Sequence, residues 1–154
     1  MGVYMAHTFY QHCYHLIWST KDRRPIILEE HKTRIFEYLG GSFQTLGCTS
    51  LQVGGMSDHI HILAAIPPKL AVSEIIRDVK VGSSKWINSS LPNIKGFAWQ
   101  EGFGSFSVSS SQKQAVVRYI LNQEKHHKAK SFKDEFIEFL NLHEIQYDEK
   151  YLWK

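Results

Sequence analysis

Apolar and polar positions follow two different periods along this chain, and the periods divide it into strands and helices. Residues 8–20, TFYQHCYHLIWST, are aromatic and β-branched without a helix breaker and predict a strand. In EEHKTRIFEYLGGSFQTL, residues 29–46, Ile35, Phe36, Leu39, Phe43 and Leu46 recur at helical spacing behind an acidic first turn. Gly40 and Gly41 each weaken that helix by about 1 kcal/mol, so close packing at that point is expected. CTSLQVGGM and HIHILAAI predict two strands joined as a hairpin, and Pro67-Pro68 ends the second.

Residues 71–90 place Val72, Ile75, Ile76, Val79, Ser83 and Trp86 on one helical stripe and Arg77, Lys80 and Ser84 on the opposite side. FAWQ and FGSFSVS predict two short strands around Gly102 and Gly104. Residues 111–129 predict a long helix. SFKDEFIEFLNLH predicts another, with Ser131 as N-cap and Glu135 one turn on, as in a capping box. The order β-α-β-β-α-β(β)-α is that of an α+β ferredoxin-like sandwich, an antiparallel sheet with helices on one face and added C-terminal helices. There is no internal repeat or low-complexity linker, so one domain over 1–154 is expected.

Composition narrows the class without choosing a function. With 43% hydrophobic and 21% charged residues among 154, the chain has the make-up of a soluble globular domain large enough to bury a core. No apolar run approaches the roughly 20 residues that cross a bilayer. The amino terminus lacks the basic and apolar regions of a signal peptide, so a cytoplasmic location is expected. In a reducing compartment Cys13 and Cys48, which have no CxxC spacing, are small buried apolar residues. A net charge of +3 is only mildly basic. Three local clusters say more: Lys21, Arg23 and Arg24; Arg77, Lys80 and Lys85; Lys125, Lys128 and Lys130. They point toward a polyanion.

The chemistry begins at DHIHIL. In an extended strand His59 and His61 project from one face and Ile60 and Ile62 from the other. Two adjacent imidazoles on a rigid strand suit a divalent metal, although such a pair is equally at home on a solvated face. Further along, Tyr119 and Gln123 are spaced i and i+4 and share a helical face flanking the apolar stripe Val116, Val117, Ile120 and Leu121. The amide oxygen of Gln123 is a suitable third ligand to the histidine pair. Zinc is disfavoured against magnesium or manganese because no cysteine or third histidine is suitably spaced. Tyr119 could attack a phosphoryl group at such an ion.

HIH on a central strand with YILNQ on a later helix resembles the HUH single-tyrosine transposases, in particular the REP-associated tyrosine branch. The resemblance spans most of the chain, through YHLIWSTKDRRPIIL, DHIHIL, VSEIIRDVKVGSSKWIN, FAWQEGFGSFSVS, VVRYILNQEKHH and FKDEFIEFL. It implies a catalytic Tyr119, a magnesium or manganese ion held by His59, His61 and Gln123, and single-stranded DNA with hairpins as substrate. It also implies a 5′-phosphotyrosine intermediate with strand transfer, and a homodimer in which the tyrosine helix can complete the partner's site. Asp58 either caps the turn or orients a ligand, and His126 and His127 either touch phosphate or end the helix favourably with its dipole; the plain structural role is favoured for all three.

Lys21, Arg23, Arg24, Arg77, Lys80 and Lys85 are candidate phosphate contacts, and Trp99, Phe103 and Phe106 candidate base-stacking residues. Two rivals stay open: an RNA-recognition-like binding module, faintly echoed by EGFGSFSV, and a phosphoesterase that hydrolyses without a covalent step.

Overall fold

The computed structural model describes residues 8–153; the reading of the amino terminus rests partly on residues 1–7, which lie outside it. Four strands, β1 (Cys13–Ser19), β2 (Thr49–Gly55), β3 (His59–Ala65) and β4 (Gly104–Ser107), form a sheet in the order β2-β3-β1-β4. Every neighbouring pair is antiparallel. β1 and β3, the two strands that carry histidine, therefore occupy the centre. Helix α1 (Lys32–Thr45) links β1 to the β2–β3 hairpin, and α2 (Val72–Ser90) links β3 to β4. The expected ferredoxin-like order is present.

Strict alternation along the central strands separates two cores. Leu16, Trp18, Ile60, Ile62 and Ala64 point to one face, where they pack with Ile35, Leu39 and Phe43 of α1 and Ile75, Ile76 and Val79 of α2. The expected helical stripes thus form the helical layer on this face. Within the glycine pair, a Cβ on Gly40 would sit 3.1 Å from Ser50 Oγ, whereas one on Gly41 would meet nothing within 4 Å. Close packing is required at the first glycine alone.

The other face carries Cys13, His15, Ile17, His59, His61 and Leu63, and three added helices cover it. These are α3 (Lys113–Leu121), α4 (Gln123–Ala129) and α5 (Phe132–Leu142). Ile120 of α3 packs on Cys13 and Leu63, and Phe132, Phe136 and Leu140 of α5 pack on Ile17 and Phe106. Two glycines let these helices descend onto the sheet. A Cβ on Gly54, paired with His61 in the ladder, would lie 2.7 Å from the backbone oxygen of Ile120; one on Gly104 would lie 2.7 Å from Phe136 Cε2. No real Cβ tolerates that approach.

Three expected elements are corrected. The first strand begins at Cys13 rather than residue 8, because Cys13 pairs with Ala65 where β3 ends and β4 stops opposite Tyr14. FAWQ forms only an isolated bridge between Trp99 and Thr20. There the side-chain oxygen of Gln100, 2.6 Å from the Ser19 N–H, takes the donor that a continuing ladder would need. The long helix over 111–129 is interrupted: a 3₁₀ turn precedes α3, and Asn122 (φ −99°, ψ 22°) separates α3 from α4. The Asn122 N–H is shared between the carbonyls of Arg118 and Tyr119, and asparagine is a weak helix former that tolerates such a junction.

Ser131 is the N-cap of α5, accepting from Asp134 N at 3.2 Å, but Glu135 does not close the expected box. Its carboxylate is drawn into the sheet instead. Cys13 and Cys48 are buried free thiols, as expected, and burial pushes both up in pKa.

Candidate functional site

On the covered face the sheet presents a cluster of imidazoles. His59 and His61 are fully buried, and His15, opposite Leu63 on β1, is nearly so. Each ring is held from behind. His59 Nδ1 lies 2.7 Å from Asp58 Oδ1 and its face stacks on Phe132 at 4.1 Å and 12°. His61 Nδ1 lies 2.8 Å from His15 Nε2, and His15 is braced edge-on by Phe139 at 5.1 Å. His127 of α4 donates Nδ1–H to the Lys130 carbonyl at 2.8 Å. A carbonyl can only accept and a carboxylate normally does, so the Nε2 atoms of neutral His59 and His127 carry bare lone pairs.

Those lone pairs meet other acceptors. Gln123 Oε1 is 3.1 Å from His59 Nε2 and 3.0 Å from His127 Nε2. Glu135 Oε1 is 3.0 Å from His61 Nε2, 3.4 Å from His127 Nε2 and 3.7 Å from His59 Nε2. Lone pairs converging on lone pairs repel unless a proton or a cation lies between them. An ion about 2.1 Å from each ligand holds adjacent donors about 3.0–3.4 Å apart. Four of the five separations fall in that range and the fifth, His59 Nε2 to Glu135 Oε1, is longer at 3.7 Å; the ligand atoms of His59, His61, His127 and Glu135 all lie within 4.8 Å of one another. The donor set fits a divalent metal.

Tyr119, in the last turn of α3, reaches the same place. Its hydroxyl donates to Glu135 Oε2, and its ring lies 5.8 Å from that of His61 and stacks on His126 at 4.4 Å. Gln123 Nε2 touches the Tyr119 carbonyl at 3.4 Å and Glu135 Oε2 at 3.5 Å. The break at Asn122 therefore leaves Tyr119 and Gln123 aimed at one carboxylate.

Electrostatics follow from burial and pairing. Burial drives the His61 imidazolium down to about 4 and holds His15 well below the usual histidine range. Burial opposes charge on Glu135, but hydrogen bonds from His127 and His61 hold its carboxyl well below the ordinary value. Burial likewise opposes charge on Asp58, and the His59 bond outweighs it in the same direction. For His127, burial is outweighed by Glu135, which raises it. Burial, followed by Glu135, raises the Tyr119 hydroxyl far above the phenol range.

The structure thus brings together His59, His61, Gln123 and Tyr119. It also revises the reading of three neighbours. Asp58 orients His59 rather than merely capping a turn, and His126 backs the tyrosine ring. His127 is the third imidazole whose lack had argued against zinc. Glu135 was missed, although a signal was present: it sits at a core-facing position of the α5 stripe Phe132, Phe136, Phe139 and Leu140, where an acid needs a reason.

The basic candidates divide. Lys21, Arg23 and Arg24 are exposed on the turn that follows β1, at the Asp58 end of the sheet, where Thr20 N bonds to Asp58 O at 2.8 Å. Arg23 lies over the Trp153 ring at 4.8 Å. Arg77, Lys80 and Lys85 belong to α2, in the helical layer on the far side from the histidines. Lys80 is spent within the fold, donating to the carbonyls of Gln100, Glu101 and Gly102 at 2.8, 3.3 and 2.7 Å, with burial lowering it to about 8.

Of the stacking candidates, Trp99 and Phe106 are core residues and only Phe103 is open, at 37% exposure. Phe106 lies beneath α5, so the sheet face that an RNA-recognition module leaves free for bases is covered. Among the described residues no helix is long and apolar enough to cross a membrane.

Known proteins match this chain in sequence and in fold. The family model described as "Transposase IS200 like" matches residues 8–123, and the chain belongs to that family. The ISDra2 transposase TnpA of Deinococcus radiodurans is 25% identical over 119 residues, covering 74% of this chain and 85% of that protein. The transposase for insertion sequence element IS200 of Salmonella typhimurium is 29% identical over 91 residues, 59% of this chain and 60% of the relative.

Among solved structures, a candidate transposase from Deinococcus radiodurans R1 superposes with a TM-score of 0.65 at 24% identity, covering 80% of this chain and 98% of its own. A REP-associated tyrosine transposase bound to a REP hairpin gives 0.60 at 15% identity, covering 82% and 74%. These two bear on the fold, and the fold agrees.

Proposed function

We propose that this transposase is a metal-dependent endonuclease and strand transferase for single-stranded DNA. Tyr119 is the nucleophile, and His59, His61 and Gln123 are ligands of a magnesium or manganese ion. The observation that carries this reading is the convergence of imidazole Nε2 atoms, an amide oxygen and the tyrosine hydroxyl on one site. When bound, the ion supplies Lewis-acid withdrawal of charge from the phosphoryl oxygens.

The chain's own residues do the rest. Asp58 and His15 fix the rings of His59 and His61, so that their Nε2 atoms point inward without reorganisation. His126 and Phe139 confine the ring of Tyr119, leaving its hydroxyl to approach phosphorus. The Tyr119 oxygen bonds to phosphorus and the bond to the 3′ oxygen breaks. The proton lost by the phenol balances the one gained by the departing 3′ oxygen. A 5′-phosphotyrosine and a free 3′-OH result, and the 3′-OH can attack a new 5′ phosphotyrosine in reverse.

Recognition of DNA hairpins belongs to the same proposal and is supported by the REP hairpin bound to one structural neighbour. So does a homodimer, within which the tyrosine helix could be exchanged; in the single chain Tyr119 meets its own His61 and Glu135. Lys21, Arg23 and Arg24 are the proposed phosphate contacts nearest the site.

The test uses end-labelled single-stranded oligonucleotides from DNA flanking the gene, incubated with manganese or chelator and run on a denaturing protein gel. Wild type with manganese should yield a labelled protein band; chelator or Tyr119→Phe should remove it, with DNA binding preserved. Cleavage that survives Tyr119→Phe would point to direct hydrolysis instead.

A further inference from the structure

We propose that Glu135 is a positioning residue that ties the tyrosine to the metal ligands, making α5 part of the reaction centre. This rests on the functional reading above and extends it to a segment beyond residues 8–123, where the family match ends.

Glu135 is 2% exposed on the apolar stripe by which α5 seals the sheet. A buried carboxylate costs several kcal/mol unless it is paired. Its ion-pair partners among the described residues are all imidazoles: His59, His61 and His127. Its two oxygens have separate tasks. Oε1 faces the three Nε2 atoms, at 3.0–3.7 Å, and is placed as a further ligand. Oε2 accepts the Tyr119 hydroxyl. With its single proton committed there, the hydroxyl keeps both lone pairs for phosphorus.

The support beneath Glu135 is rigid. Its N–H bonds the Ser131 carbonyl at 3.0 Å in the first turn of a capped helix. The next residue, Phe136, sits against Gly104, where any larger residue would lift α5 off the sheet. A carboxylate fixed this way sets the distance between nucleophile and ion.

The experiment measures manganese affinity calorimetrically on DNA-free protein, and separately the cleavage rate and the KM for DNA. Glu135→Gln keeps the volume and removes the charge. It should weaken manganese binding about 10–100-fold and slow cleavage at saturating manganese, with KM for DNA nearly unchanged. Glu135→Asp keeps the charge but shortens the reach; it should recover manganese affinity and not the rate, and it keeps the test open if the Gln variant does not fold. Glu138→Gln, on the exposed side of the same helix, should match wild type in both.

Glu135→Gln protein that binds manganese as tightly as wild type, or cleaves as fast or faster, would overturn the inference. Cleavage surviving Tyr119→Phe would sink the covalent reading and the tyrosine half with it, while manganese affinity would still decide the metal half.

Discussion

The two faces of the central sheet are built from the same seven-residue strands and do opposite work. On one, Leu16, Trp18, Ile60, Ile62 and Ala64 meet α1 and α2 in a core that shape and hydrophobicity alone explain. On the other, the intervening positions of those strands, His15, His59 and His61, are just as buried yet polar. They are compensated by Asp58, Gln123, His127 and Glu135. From His59 to Ile62 each residue step along β3 crosses from one regime to the other. A protein can thus bury a reactive centre as deeply as its core when a second helical layer supplies partners for each polar atom.

The sharpest way to break the comparison is to cut each face in turn. Ile62→Ala should cost about 2–5 kcal/mol of stability and leave the manganese affinity of the folded protein unchanged. His59→Ala should do the reverse, weakening manganese at least about 100-fold while destabilising the chelator-treated protein less than Ile62→Ala does. Urea unfolding and titration calorimetry on both variants would check this. Equal effects of both variants on stability and affinity would erase the distinction.

Acid should separate the faces next. With His61 held neutral down to about 4 against about 6.5 when unfolded, the unfolded chain binds the extra proton between those values. Its contribution is therefore complete above about pH 6.5 and is lost as pH falls toward 4, on the order of 3 kcal/mol. His15 acts in the same direction, whereas His127, raised by Glu135, stabilises below its ordinary value and loses that contribution as pH rises. Urea melts in chelator across pH 4–7 should show a slope that His61→Gln flattens and Ile62→Ala leaves alone. An unchanged slope in His61→Gln would contradict the assignment.

The smallest of these effects lies at the joint between sheet and lid. Gly104→Ala should cost about 1–3 kcal/mol through overpacking against Phe136 and also loosen manganese binding, because α5 carries Glu135. A stability loss with unaltered manganese affinity would show that α5 seals the face without contributing to the site.

Much of this was legible in advance, where a period of 2 or 3.6 repeats long enough to be read. The strand pair around DHIHIL, both helices of the first layer and the α5 stripe follow from periodicity, and the co-facing of His59 and His61 follows from the pleat alone. The break at Asn122 was hidden because neither glycine nor proline marks it; only the backbone geometry shows two helices. FAWQ has strand composition, but a side chain from Gln100 intercepts the ladder. Glu135 was visible as an acid on an apolar stripe, yet its histidine partners His59 and His61 come from a strand more than 70 residues earlier in the chain. Long-range pairing of that kind leaves no local pattern.

The most direct test of the central claim, that the polar face is one metal centre, is a crystal structure of the manganese-soaked protein recorded at the manganese absorption edge. One anomalous peak is expected about 2.0–2.3 Å from His59 Nε2, His61 Nε2 and Gln123 Oε1. A peak elsewhere on the protein, or none at saturating manganese, would contradict the claim.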